Sequence, residues 1–205
     1  LDSSIALVGF AGAPFTVASY MIEGGYSRNF LHTKLLMYGY PEAWHQLMET
    51  VSEVMARYLI AQIEAGAQVI QLFDSWVGCL DVVDYQRYVL PYSKKIFDRL
   101  GHFTIPLIHF GTGTAMLLES MQEAGGTVIG VDWRIGLREA RQRLGLEVSV
   151  QGNLDPVAML APPEFLEEKV DQVLDQIENR DGHIFNLGHG ILPQTPVENV
   201  EHVVE

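Results

Sequence analysis

The sequence is short of cysteine, of positive charge and of long apolar runs, and each shortage excludes a class of protein. Cys79 is the one cysteine among 205 residues, so no disulfide can form within the chain, which favours a cytoplasmic location. Lysine and arginine number 13 against 26 aspartate and glutamate residues, for a net charge of −13. Nonspecific binding to nucleic acid or anionic membrane needs a basic surface. Since no apolar run reaches the ~20 residues of a membrane span either, we expect neither partner.

Several motifs of cofactor and metal chemistry are also missing. No Gly-x-Gly-x-x-Gly motif joins a strand to a helix, which argues against a dinucleotide site. Catalytic zinc takes three protein ligands, and the sequence offers a single cysteine and no His-x-x-x-His pair. Ser75 lies outside any Gly-x-Ser-x-Gly elbow, so a triad of Ser75, His189 and Asp74 has weak support. We therefore predict no metal and no organic cofactor.

What the chain does contain is a regular alternation of short apolar runs and longer amphipathic segments. The runs are brief and rich in β-branched residues, as buried parallel strands are. The predicted strands are 5–10, 69–73, 106–110, 127–131, 147–151 and 183–187. The predicted helices are 41–65, 114–124, 136–144 and 164–178. EAGAQVI at 64–70 and EAGGTVI at 123–129 repeat the order of helix end, glycine and strand.

Alternating strands and helices predict an α/β fold with one parallel sheet, either doubly wound and open or closed as a (β/α)8 TIM barrel. About six strands are visible where a barrel has eight. The chain contains no linker-like segment, so we predict a single domain over residues 1–205. The first residue is Leu1 and not methionine, which leads us to expect that a segment precedes it.

Polar and aromatic side chains follow the predicted strands at the ends where a parallel barrel carries its chemistry. Tyr20 could instead cover an edge from an amphipathic helix, and Ser75 could cap the helix after its strand. His109 could be a core histidine, while Asp74 could cap a helix or pair with an arginine. His189 stands between glycines, which let the backbone approach a ligand. Structural roles in loops or at a helix start are expected for Gln151, Asn153 and Asp155.

Six stretches taken together resemble the uroporphyrinogen decarboxylase family. They are GFAGAPFT (9–16), YMIEGG (20–25), QLFDS (71–75), GVDW (130–133), QGNLDP (151–156) and NLGHG (186–190). Their order and spacing run the whole length of the chain, and as a set they are highly specific. The chain looks like the C-terminal two-thirds of such a protein.

The resemblance implies a (β/α)8 barrel that removes carboxyl groups from the four acetate side chains of uroporphyrinogen without metal or cofactor. It places Tyr20, Ser75 and His189 at the substrate-contacting, catalytic positions of the family. Phe10 and Phe73 match apolar residues that line the family's cleft and bind substrate. A homodimer is implied for the complete protein. In addition, Arg28 and Arg134 are loop arginines that could add positive charge or form surface ion pairs.

Two features of the family are missing from this sequence. The family begins with an Arg-Gln-Ala-Gly-Arg-Tyr-type segment and a strand that ends in an aspartate facing the pyrrole N–H groups. Neither occurs here, so we expect the first two βα units to be absent and the chain alone to be inactive. A non-catalytic porphyrin-binding fragment is therefore one alternative. A zinc-dependent methyltransferase of the cobamide or methionine type is another, although Gly111 replaces the cysteine of its His-x-Cys pair.

Overall fold

Six parallel strands lie side by side in the order in which they occur along the chain. The computed structural model describes residues 5–25, 27–177 and 181–204. Each strand is hydrogen-bonded to the next, from first to last. The strands are β1 (Val8–Gly12), β2 (Val69–Asp74), β3 (Leu107–Gly111), β4 (Val128–Gly130), β5 (Ser149–Leu154) and β6 (His183–Leu187).

Helices connect consecutive strands and cover one face of the sheet. The helices of the described residues are α1 (Pro14–Glu23), α2 (Leu31–Gly39), α3 (Pro41–Glu64), α4 (Val82–Tyr88), α5 (Leu90–Leu100), α6 (Leu118–Ala124), α7 (Leu137–Leu144), α8 (Pro163–Leu174) and α9 (Val197–Val204). Two 3₁₀ turns lie at Val77–Cys79 and Pro156–Leu160. Among the described helices, none combines the length and apolar composition needed to cross a membrane.

The strand order identifies the architecture as part of a TIM barrel. In a doubly wound sheet the order reverses at a switch point, whereas in a barrel each strand pairs with its neighbours in sequence. The observed order runs from β1 to β6 without a reversal, so the open alternative is wrong. Six strands do not close a barrel, and β1 and β6 form the two edges of the arc.

Alternation along the strands separates an outer face from an inner face. Outward-facing Ala11, Ile70 and Leu72 are buried against the helices in one apolar cluster with Leu59 of α3. Inward-facing Phe10 is paired in register with Gln71, one strand along. The inner face is therefore the surface that a closed barrel would enclose.

All six strand predictions fall on observed strands, although the first and the fifth are displaced by two or three residues. The structure starts β1 at Val8 and extends it to Gly12, while Ile5 remains exposed before it. The predicted helix 114–124 begins only at Leu118, after a turn closed by Leu117 N and Thr114 O. The predicted helix 164–178 ends at Leu174, and residue 178 lies outside the described residues. Helices that the sequence pattern did not predict are α1, α2, α4, α5 and α9.

Candidate active site

Three sequence-predicted residues lie in segments that follow the C-terminal ends of strands. Ser75 directly follows β2, and His189 comes two residues after β6. Tyr20 lies on α1, the helix that follows β1. Because all the strands are parallel, these segments share one edge of the sheet. β1 and β6 are the two ends of the arc, so His189 belongs to the side opposite Tyr20.

Tyr20 and the residue after Ser75 are in direct contact. The ring of Tyr20 lies on the indole of Trp76, with centroids 3.8 Å apart and an interplanar angle of 35°. Phe30 contacts the same indole from 5.1 Å. Tyr20 remains 54% exposed on its helix. The sequence analysis assigned no role to Trp76. Its position next to Ser75 was the one feature that could have pointed to it.

The Ser75 segment is held by the loop that follows β3. Thr112 Oγ1 donates a hydrogen bond to the carbonyl oxygen of Ser75. A Cβ at Gly78 would collide with the carbonyl of Thr112, so glycine permits this close approach. The 3₁₀ turn here is capped at Trp76 without a side-chain hydrogen bond. Ser75 is therefore not a helix cap, and its half-buried hydroxyl lies beside a fixed peptide.

Asp74 turns to the opposite face of β2 and is fully buried. Its Oδ1 accepts a hydrogen bond of 3.0 Å from Thr16 Oγ1, and its Oδ2 has no partner among the described residues. Burial raises the pKa of Asp74 to about 7, and the bond from Thr16 opposes that shift only in part. Asp74 thus neither caps a helix nor pairs with an arginine.

An aromatic layer covers the inner face beneath these loops. Phe10 of β1 meets Phe73 of β2 edge-on at 5.7 Å, and Phe73 meets Phe110 of β3 in the same way at 5.8 Å. Phe10 is 60% exposed on this face. Gly130 of β4 makes room for Phe110, since a Cβ there would lie 2.8 Å from the Cβ of Phe110. Phe110 was missed in the sequence, although its position in β3 is in register with Phe73.

The β4 and β6 loops pack tightly together on the other side of the arc. Buried Asp132 accepts hydrogen bonds from Gly113 N at 2.6 Å and from Arg134 N at 3.0 Å, and it also forms an ion pair with Arg134. A Cβ at Gly188 would lie 2.6 Å from the backbone nitrogen of Trp133. This glycine therefore serves loop packing. His189 beside it is exposed.

The Arg134 guanidinium lies 4.0 Å from the centre of the Trp133 ring and forms a cation–π contact with it. The ion pair of Arg134 differs from a surface ion pair, because its partner Asp132 is buried. Arg28 is exposed in the segment before α2.

The remaining polar candidates have structural partners. His109 is a core histidine: it is fully buried, its Nδ1 lies 3.2 Å from the carbonyl of Met121, and burial lowers its pKa to about 4. Asn153 donates to the carbonyls of Asp132 and Ile135, as expected for a loop-bonding residue. Gln151 differs from expectation, because its amide donates to the Gln71 side chain at 3.3 Å. Asp155 caps its 3₁₀ turn through Val157 N.

Within the described ranges, no three histidine, cysteine, aspartate or glutamate side chains are grouped as metal ligands. His109, the residue that corresponds to the His-x-Cys pair of the zinc alternative, faces the helices and not the inner surface. The segments after β1 and β2 instead offer the phenol of Tyr20 and the hydroxyl of Ser75 at the same edge of the sheet.

Comparison with known sequences decides the family. The family model described as uroporphyrinogen decarboxylase (URO-D) matches residues 1–205. The chain belongs to the uroporphyrinogen decarboxylase family. It is 53% identical over 205 residues to the uroporphyrinogen decarboxylase of Carboxydothermus hydrogenoformans. It is 55% identical over 201 residues, 98% of this chain, to that of Thermus thermophilus. The chain spans 59% of the length of each of these two uroporphyrinogen decarboxylases.

Solved structures support the fold. A methyltransferase from Methanosarcina mazei superimposes with a TM-score of 0.85 at 19% identity, covering 100% of this chain and 58% of its own. A dihydropteroate synthase from Xanthomonas albilineans gives a TM-score of 0.54 at 15% identity, covering 96% of this chain and 64% of its own. At these identities the likeness concerns the barrel fold alone. The uroporphyrinogen decarboxylase family thus rests on the sequence matches.

Proposed function

We propose that this chain is part of an enzyme that decarboxylates the four acetate side chains of uroporphyrinogen to give coproporphyrinogen. The observation that carries the proposal is the whole-length family match in a chain with 53–55% identity to two uroporphyrinogen decarboxylases. The aromatic layer of the inner face supports it, because its exposed member, Phe10, offers a surface on which a flat tetrapyrrole can lie.

The reaction requires an electron sink at the pyrrole. Protonation of the ring carbon gives an iminium-like ring, and cleavage of the bond to the carboxyl carbon returns its electron pair to that ring as carbon dioxide leaves. A second proton on the exocyclic carbon then completes the methyl group, and loss of the first proton restores the pyrrole. No metal or organic cofactor is needed for this sequence of steps.

The side chains of this chain would bind and orient the substrate. The Phe10–Phe73 pair offers an apolar floor that favours loss of water from the reacting carboxylate. Tyr20 and Ser75 can donate hydrogen bonds to substrate carboxylates and hold the reacting arm in place. His189 can donate a hydrogen bond to a carboxylate or transfer a proton to the substrate. The carboxylate that faces the pyrrole N–H groups is expected in a segment outside this chain.

We further propose that residues 1–205 belong to one barrel domain whose first two βα units precede them. The share of the relatives' length that the chain spans supports this, as does the open arc of six strands. A homodimer and a cytoplasmic location are proposed for the complete protein. Sedimentation of the complete protein at several concentrations tests the dimer.

The histidine role can be tested by His189→Asn in a complete protein, with coproporphyrinogen formation as the measurement. Asparagine keeps a donor but cannot carry charge, and a lost charge-assisted hydrogen bond costs about 1.5–3 kcal/mol. We expect kcat/KM to fall roughly tenfold to hundredfold while the melting temperature barely changes. Unfolding of the variant with full activity in the surviving molecules would show that His189 is structural.

The matched control is His102→Asn. His102 is exposed in the turn between α5 and β3, at the N-terminal edge of the sheet, and should leave both rate and stability unchanged. His45 on α3 is unsuitable as a control. It is half-buried, hydrogen-bonded to Tyr92 and stacked on Tyr88.

A further inference from the structure

The buried carboxyl group of Asp74 has no part in the chemistry described above. It lies on the outer face of β2, whereas Phe73 beside it lies on the inner face. The side chain is fully buried, so it cannot touch a substrate on the inner surface. A buried carboxyl with a free oxygen is costly, and such groups cluster at functional sites.

The contacts of Asp74 lead to two of the residues proposed to bind substrate, Tyr20 and Ser75. Thr16 Oγ1 donates its one proton to Asp74 Oδ1 at 3.0 Å and accepts the backbone N–H of Trp76 at 3.4 Å. The Thr16 hydroxyl therefore joins α1 to the turn after β2. Tyr20 follows Thr16 by one helical turn and lies on the Trp76 indole.

We propose that Asp74 is a positioning residue that acts through Thr16 to hold the Ser75–Trp76 peptide and the Tyr20 ring in one arrangement. The inference rests on the proposed function, since it concerns how Tyr20 and Ser75 are presented to a substrate. Thr112 holds the same peptide from the β3 side, through the carbonyl of Ser75. The turn is thus held on both sides, and Asp74 fixes the side that carries Tyr20.

Two other titratable side chains face Asp74, and neither changes its charge near neutral pH. Tyr85 of α4 and Cys79 of the 3₁₀ turn face it, and burial raises the pKa of Tyr85 well above its usual range and that of Cys79 to about 11. Lys34 of α2 donates to the Cys79 carbonyl, and Glu123 of α6 acts on Tyr85. Neither Tyr85 nor Cys79 ionises near neutral pH. A change at Trp76 near pH 7 that disappears in Asp74→Asn therefore reports on Asp74.

The experiment combines decarboxylation kinetics of the complete protein with fluorine NMR of the same protein labelled with 5-fluorotryptophan. Trp76→Phe identifies the Trp76 resonance, and the resonances of Trp44 and Trp133 serve as internal references. In the unsubstituted protein we expect the Trp76 resonance to move as pH passes through about 7. Asp74→Asn keeps an uncharged acceptor for Thr16, so its Trp76 resonance should stay in place and should not titrate.

Variants that remove the Thr16–Asp74 hydrogen bond should differ in kinetics from variants that keep it. Asp74→Ala and Thr16→Val should shift the Trp76 resonance and lower kcat/KM by about tenfold or more, with part of the loss in KM. Asp74→Asn and Thr16→Ser should remain within about threefold of the unsubstituted enzyme near pH 7. Ser19→Ala is the matched control, because Ser19 is a buried hydroxyl on the same helix without a partner among the described residues.

Unchanged kinetics and an unmoved Trp76 resonance in Thr16→Val would overturn the proposal, even if Asp74→Ala fails to fold. Equal losses in Asp74→Asn and Asp74→Ala would also overturn it, because they would indicate a need for charge. If the unsubstituted complete protein forms no coproporphyrinogen, the proposed function fails. The Trp76 resonances would then still show whether Asp74 and Thr16 hold this turn.

Discussion

At the scale of single residues, two buried ionisable side chains on the outer face of the sheet make stability depend on pH in opposite directions. Burial raises the pKa of Asp74 to about 7, so its contribution to stability is present at low pH and is lost as pH rises toward 7. Burial lowers the pKa of His109 to about 4, so its contribution is full above pH 6.5 and is lost as pH falls toward 4.

The histidine effect can be measured with His109→Gln. Over the interval from pH 6.5 to 4, the unfolded chain binds a proton that the folded chain excludes. The free energy of unfolding should therefore fall by up to about 3 kcal/mol more in the unsubstituted protein than in the variant. Urea unfolding at a series of pH values measures this difference. A His102→Gln control should show the same pH dependence as the unsubstituted protein, and parallel curves for His109→Gln would contradict the assignment.

At the scale of elements, the loops after β3 and β4 are tied by one carboxylate. Asp132→Ala removes the acceptor of the Gly113 N–H and the partner of Arg134. Hydrogen bonds to a charged group contribute about 1.5–3 kcal/mol, and urea unfolding should show a loss of that size.

Glu119→Ala is the control for Asp132→Ala. Glu119 is half-exposed and also pairs with an arginine, Arg143. Exposed ion pairs contribute at most about 1 kcal/mol, so this loss should be clearly smaller. Similar losses in the free energy of unfolding of the two variants would show that Asp132 contributes no more than one partner of an exposed ion pair.

The strands were predictable from the sequence because parallel strands that are buried on both faces appear as short, near-continuous apolar runs. The displacement of β1 has a physical reason: Ile5 and Leu7 are apolar but precede the first parallel pairing, which joins Val8 to Val69. Helices α4 and α5 were not predicted. Val89 alone separates them, which leaves no glycine or polar loop as a boundary signal.

The candidate site was predictable only in its residue types and its edge of the sheet. Tyr20 and Ser75 were named through family motifs, and the edge follows from the parallel order. The contacts between segments were not accessible, because 58 positions separate Thr16 from Asp74. The same holds for Gly188, whose role depends on the position of the Trp133 backbone.

At the scale of the whole molecule, the arc leaves two strand edges uncovered, with apolar side chains exposed on them. Phe10 and Val8 are exposed on the inner face of edge strand β1, and Ile184 is partly exposed on β6. Such edges invite pairing with another chain. We expect the 205-residue chain to self-associate in light scattering and to form no coproporphyrinogen.

A complete protein is the comparison for the isolated chain, and it should show a discrete oligomeric state together with activity. A monomeric, soluble 205-residue chain would show that the arc covers its edges in some other way. Robust coproporphyrinogen formation by this chain would show that the missing family aspartate is dispensable.

The strand order has a consequence for synthesis on the ribosome. Each strand pairs with the one made just before it, so every βα unit can dock as soon as it leaves the exit tunnel. The sheet can thus grow in one direction during translation, without waiting for distant segments. Its inner surface stays open throughout, because a barrel acquires its enclosed interior only when the last strand meets the first. Chaperone binding to stalled nascent chains should therefore persist until β6 has emerged and should cease when β6 pairs with the first strand of the complete barrel.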